Sequence, residues 1–464
     1  MMVEADMMVE DATVLHEQKK DVLHPSKEVG SGSGPKFEAC VGLSRKWDAR
    51  EAGREVAETA IKNLTRPPDF FLLFSTIHYE KHGGFQEFLN GVWDVLPEGT
   101  PLVGGTVAGF MNNYGCYTRG ATALAVSYPY MDVAVGYGRN TKRNPKRAAR
   151  QCAEMIRTKL QNSVYENRFI LDIISGGLIP QIPGIGRKKV IRGTLSKIAV
   201  YLSNLSLIIF QKGVGREEEI LNEFEKYFDN FYILHGSSMD DGKANANYQF
   251  IEEKVSSNRM VALGISTDLT IDIQQKHNLK EIKRFEVTKI SKNKRVIHTI
   301  NNKPAVREML NILDWPEEFF DEKLFKRTFF CPIGYKDENE WIPEIIGIIP
   351  GDSIMVLHMI KNKEMAVLSA SGKNLLDATI SCLQMLDCKN SAFGLISTCD
   401  GRLEALGKMV FDVKDEITKH FGGRPFLALY CGGEAIKKPN EHFKYGNVTF
   451  NAAIFKNTRL NLKL

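Results

Sequence analysis

The chain has no Cys-x-x-Cys pair: its eight cysteines, spread over 464 residues, stand at positions 40, 116, 152, 331, 382, 388, 399 and 431. This spacing excludes zinc-ribbon and thioredoxin-type chemistry. So few cysteines in so long a chain read as free thiols of a cytoplasmic protein. No run reaches the ~18 consecutive apolar residues of a membrane-spanning helix. The first residues lack the basic flank and apolar stretch of a secretory leader and carry Glu4, Asp6 and Glu10 instead. Neither charge dominates: 61 basic and 56 acidic residues leave a formal +5, too close to balance to point to nucleic acid. His78 and His82 lie four apart, but Gly83-Gly84 puts them in a loop without further ligands, so no metal is expected. No cofactor motif is present either.

What is present suits a large folded protein. Hydrophobic residues make up 43%, enough for a sizeable core, and the length fits two large domains. Residues 1–36 read as a flexible tail ending in the linker-like Gly30-Ser31-Gly32-Ser33-Gly34-Pro35. Strand and helix patterns then alternate. Phe70–Phe74 is a continuous apolar run that reads as a buried strand, and Phe169–Ile174 reads as another buried strand. Asp48–Leu64, Pro145–Leu160, Arg216–Phe228, Asn374–Leu386 and Glu404–Phe421 have helical spacing, with Asp48 as a cap and Pro145 in a first turn. The expected fold is α/β to α+β, with mixed sheets flanked by helices in two lobes, 37–300 and 301–464.

Several turns follow strands and carry small or polar residues. Gly104-Gly105-Thr106 and Gly236-Ser237-Ser238 can admit a ligand to the backbone or be ordinary tight turns. Cys399-Asp400-Gly401-Arg402 follows the strand Phe393–Ser397, at the strand end where α/β folds place ligands. Arg402 could clamp a carboxylate and Glu434 meet an amine, a pairing suited to an amino acid; an internal Arg402–Glu434 ion pair is the alternative. Cys399 reads as a buried inert thiol or as the nucleophile of a hydrolase or transferase. Arg139, Lys142, Arg143, Lys146, Arg147 and Arg150 form a basic run at a helix N-terminus, where the dipole disfavours positive charge. An anionic partner would relieve it; a solvated face is the alternative.

Four stretches together resemble the FIST family, with N-terminal and C-terminal FIST domains in tandem. They are Leu102–Gly109 with the strand Ala121–Ser127; Gly236–Asp241 with Tyr248-Gln249-Phe250; Val287-Thr288-Lys289 with Asn302–Ala305; and Cys399–Arg402 with Gly432-Gly433-Glu434 and Asn447-Val448-Thr449. Phe110 stands where family members often carry an acidic residue, and Ser237 replaces a second glycine. The resemblance implies an intracellular signal-input module that binds a small polar ligand, an amino acid among the candidates, and is read by a partner protein. The ligand-binding set it implies is Gly104, Gly105, Thr106, Gly236, Ser237, Asp240, Asp241, Cys399, Arg402, Gly432, Gly433, Glu434 and Asn447. A ligand-free scaffold is a further alternative.

Residues 180–212 read as an insertion in this pattern. Arg187-Lys188-Lys189 precede an apolar helical stripe of Leu195, Ile198, Leu202, Leu205 and Ile209. A basic, apolar helix suits a membrane surface or a partner helix, with docking on its own domain as the alternative.

Overall fold

A computed structural model describes residues 36–181, 186–193, 196, 209–337 and 340–457. Its mixed sheets flanked by helices agree with the expected class, but they are organised by a threefold repeat that the sequence did not disclose. Each repeat holds a parallel strand pair: Phe70–Ser75 with Leu102–Thr106, Asn167–Ser175 with Tyr232–Ser238, and Ser391–Cys399 with Phe426–Cys431. Two antiparallel strands flank each pair on one side. These are Ala121–Ser127 and Glu38–Ser44 in the first repeat, Arg259–Thr267 and Met131–Arg139 in the second, and Phe450–Lys456 and Thr270–Lys276 in the third.

On the other side each sheet accepts a hairpin donated by another repeat. Gln249–Ile251 and Lys254–Ser256 join the first sheet, Glu434–Lys437 and Lys444–Gly446 the second, and Gly109–Asn112 and Gly115–Tyr117 the third. The exchange is cyclic, so no sheet is complete without the next repeat. A nine-stranded sheet, built mainly from residues 280–369, is inserted after Thr270–Lys276 and recruits Val190–Ile191. The expected lobe boundary at residue 300 falls within this sheet, and three of the four sheets take strands from both sides of it.

The apolar runs follow from this layering. Phe70, Leu72 and Phe74 face a core shared by all three repeats with Phe169, Leu171, Leu395 and Leu427. Phe71 and Leu73, on the opposite face, pack beneath the helices Ala49–Ile61 and Phe85–Trp93. With both faces covered, alternation disappears from the sequence. The helix expected over Glu404–Phe421 is interrupted: Gly401–Leu406 ends at Gly407, whose φ of 52° stops the helical turn, and Val410–Phe421 follows.

Arg187 and Lys188 are exposed. Lys189 is only partly exposed: its Nζ donates to the Gly242 carbonyl at 3.0 Å and lies 3.8 Å from the centre of the Phe325 ring. The cause is the pairing of Val190–Ile191 with Ile346–Pro350, which draws Lys189 inward. Leu195, Ile198, Leu202 and Leu205 lie outside the described residues, and Ile209 is exposed. No helix among the described residues is long and apolar enough to cross a membrane.

Candidate functional site

All three parallel pairs end at one place, where backbone hydrogen bonds tie them into a ring. Met239 N–H donates to the Thr106 carbonyl at 2.9 Å, Gly432 N–H to Ser237 at 3.0 Å, and Ala108 N–H to Tyr430 at 3.0 Å. Asp400 N–H donates to the Cys431 carbonyl at 2.8 Å within the third repeat. The ring thus gathers Thr106, Ser237, Cys399 and Gly432–Glu434 from four separate stretches of sequence in three repeats.

Glu434 is the most anomalous group there. It is 2% exposed; Oε2 accepts from the Thr449 hydroxyl at 3.0 Å, while Oε1 has no partner. Burial and then the Asp400 carboxylate push its pKa well up, against the opposing Thr449 and Cys399 hydrogen bonds and the Arg402 charge. The repeat shows how unusual this is. Phe110 pairs with Leu429, Gln249 with Gly105, and Glu434 with Gly236. Each partner stands one residue before the carbonyl that closes the ring, at Tyr430, Thr106 and Ser237, so the other two repeats place phenylalanine and glutamine where the third places a carboxylate. Asp400, next to it, is pushed up to about 6, chiefly by burial. The Cys399 thiol contacts Asp400 Oδ1 at 3.7 Å and is pushed well up by burial and by the carboxylates of Glu434 and Asp400.

Other expected residues have separate duties. Arg402 is 1% exposed, and its guanidinium donates to the Leu375 carbonyl and the Thr379 hydroxyl, both at 2.9 Å. It makes no ion pair with Glu434. Asp240 accepts from the N–H groups of Ala244 at 2.7 Å and Asn245 at 2.6 Å, pinning its own loop. Asp241 pairs with Lys243 at the surface at 2.5 Å. Thr106 Oγ1 accepts from Tyr248 N–H at 3.0 Å. Asn447 Nδ2 lies 3.2 Å from His358 Nδ1 and 3.5 Å from Glu344, so it serves a buried pair of the inserted sheet.

Gly104 and Gly236 have packing reasons. A Cβ on Gly104 would run into the Leu73 carbonyl oxygen, and one on Gly236 would meet Cys431 Sγ at 2.7 Å. Gly105 likewise makes way for the Tyr248 carbonyl, at 2.7 Å from such a Cβ. Gly433 differs, because its nearest neighbour would be Ser237 Oγ at 3.6 Å.

Sequence reasoning missed the line that runs through Ser237. Its hydroxyl lies 3.3 Å from His235 Nε2, and His235 Nδ1 lies 2.7 Å from Asp172 Oδ1. Ser237 also donates to Glu217 Oε1 at 3.3 Å. Asp172 in an otherwise apolar strand was the available signal, since a carboxylate there needs a partner. A separate cavity of about 580 Å³ opens between the helix Glu217–Phe224 and the inserted sheet. Several of its rim charges are already paired, Arg216 with Glu219 and Lys226 with Glu223.

No curated protein matches the chain in sequence. Among solved structures, cyanuric acid hydrolase from A. caulinodans is 7% identical, with 90% of this chain and 99% of that one covered, at a TM-score of 0.34. PurLQS from Thermotoga maritima is 10% identical, with 90% and 72% covered, at a TM-score of 0.18. Likeness of that degree transfers no activity. The model of the FIST N domain matches residues 69–303, which take in the first repeat from its parallel pair onward, all of the second, and the start of the third. The chain belongs to the FIST family, a family of sensory domains.

Proposed function

We propose that this protein senses a small polar metabolite bearing a protonated amine, such as an amino acid, at the ring of strand ends. A partner protein reads the bound state. The observation that carries this reading is Glu434: a buried carboxylate with one oxygen unpartnered, beside an Asp400 already pushed up to about 6. A buried carboxylate without an ion-pair partner is costly, and an ammonium group would supply a donor for Oε1 and a charge in direct contact together. Binding would draw Glu434 into its ionised form and release a proton. Gly433 leaves room beside Ser237 for the approach. Arg402, committed to carbonyl and hydroxyl acceptors, acts in this reading by holding the helix Gly372–Gln384 against the site.

The raised Cys399 pKa favours binding over thiolate catalysis, because the neutral thiol is a poor nucleophile. The eight free cysteines suit a cytoplasmic location. The test is a thermal-shift screen of amino acids and other primary amines, followed by calorimetry in buffers of different ionisation enthalpy. A ligand at a hundred times its Kd stabilises the native state by about 2.7 kcal/mol. Binding should release a proton and be lost in Glu434→Gln. Equal affinity of the wild type and a folded Glu434→Gln variant would reject this site.

A further inference from the structure

We infer that the face around the start of the helix Pro145–Leu160 is a docking surface for an anionic lipid bilayer. Arg139, Arg143, Lys146, Arg147 and Arg150 are all exposed there. Arg139 stands directly opposite Arg259 across the sheet, a like-charge pair whose guanidiniums both lie over the Tyr137 ring and whose repulsion an anion would relieve further. Repulsion from Arg139 joins burial in lowering the Arg259 pKa. The first helical turn holds no acidic residue, and Asn144 makes no side-chain cap. Of these side chains, Arg150 reaches a carboxylate, Glu223, at 3.7 Å, while Arg139, Lys146, Arg147 and Arg259 form no ion pair with a carboxylate among the described residues.

Charge alone would suit any polyanion. The second observation separates a bilayer from the rest. Arg143 donates to the Ile209 carbonyl at 2.6 Å, and Gln211 Nε2 donates to Asn140 Oδ1 at 2.8 Å. These bonds hold Ile209 and Phe210, 48% and 67% exposed, at the border of the basic patch. Large apolar side chains beside a cluster of arginines and lysines match an interface where headgroup charge and acyl chains lie a few ångströms apart.

The experiment is co-sedimentation of the full chain with phosphatidylcholine vesicles, with and without phosphatidylserine, at low and high salt. Binding should require phosphatidylserine and weaken with salt. Each basic residue near an anionic leaflet strengthens binding about fivefold, so Lys146→Gln/Arg147→Gln should weaken it about 25-fold. Phe210→Ser should weaken it while leaving the salt dependence in place. Lys408→Gln, an exposed charge in the third repeat, serves as the control and should bind as the wild type does. Equal binding to vesicles without phosphatidylserine would overturn the proposal, as would unchanged binding by the folded Lys146/Arg147 variant. So would binding of a short nucleic-acid duplex, dependent on the same residues, with no vesicle association. Failure here leaves the amine site untouched, because that assay uses no lipid.

Discussion

Replacing Asp400 by Asn should stabilise the protein, and only above acidic pH. Asp400 lies against the Cys399 thiol, with Lys189 and Asp240 as further charged neighbours. Burial, with the Asp240 charge adding to it, raises its carboxyl from 3.8 to about 6 in the folded protein. A raised carboxyl pKa means that the folded state holds the proton more tightly than the unfolded chain does. Stability therefore falls as pH rises from the unfolded value through about 6. The shift is about 2 units, and at 1.36 kcal/mol per unit the loss amounts to ~3 kcal/mol. Asparagine keeps the shape and cannot ionise. Its advantage should be absent near pH 4 and approach 3 kcal/mol at pH 8. Glu434 and Asp240 titrate alongside it, so the wild-type profile belongs to the group, and the variant-minus-wild-type difference isolates Asp400. Urea midpoints at half-unit pH steps, with tryptophan fluorescence as the probe, give the difference curve. A flat curve, or a variant that is less stable at pH 8, would refute the reasoning and make Asp400 a structural hydrogen-bonding residue.

Two further outcomes follow from the same chemistry. Burial acts to lower the pKa of His358, but Glu344 at 3.1 Å and the Glu218 and Glu217 carboxylates more than reverse that and raise it to about 9. A raised histidine pKa gives stability that is full below about 6.5 and gone as pH passes about 9, so His358→Gln should cost about 2–3 kcal/mol near pH 7 and little near pH 10 in urea unfolding. Gly104→Ala drives a methyl group into the Leu73 carbonyl and should cost about 3 kcal/mol, the upper end for overpacking; Gly433→Ala, with 3.6 Å of clearance, should cost under ~1 kcal/mol by the same measurement.

The element types were legible because they depend on local pattern. Pro145–Leu160 runs over the residues its 3.6-residue spacing indicates, and the apolar runs at Phe70 and Phe169 became strands buried on both faces. Gly104–Thr106, Gly236–Ser237, Cys399 and Gly432–Glu434 were legible as segments at strand ends, but the first three lie within the strands rather than in turns after them, and their meeting was not legible. Nor was the threefold exchange. A hairpin's hydrophobic pattern is the same whether it pairs with its own repeat or the next, and the inserted sheet separates the first strand of the third repeat from its helix by almost a hundred residues. The duties of Arg402 and Asp240 were hidden for a related reason: a charged side chain after a strand looks the same whether it faces a ligand or the carbonyls and amides of a neighbouring segment.

The repeat also explains why the third unit, rather than the first two, carries the candidate site. At the paired position one residue before the ring carbonyl, Phe110 and Gln249 are fully buried, the first extending the apolar packing and the second donating to Ser238 and Asn247. Glu434 is buried to nearly the same degree in an equivalent backbone setting, so the fold does not demand a carboxylate there. Phenylalanine would satisfy the packing without a desolvated charge. Two residues past the strand position that pairs with the ring carbonyl, the first and second repeats carry Ile77 and Gly176, while the third carries Asp400. Two acidic residues are thus added at the same end of the same repeat, each with its pKa raised chiefly by burial, that of Glu434 also by Asp400 and that of Asp400 also by Asp240. Sequences that specify a fold tend to agree with it at every level, and a local rule broken without a structural need marks a functional constraint. Here the broken rule has one sign of charge, and it calls for a ligand of the other.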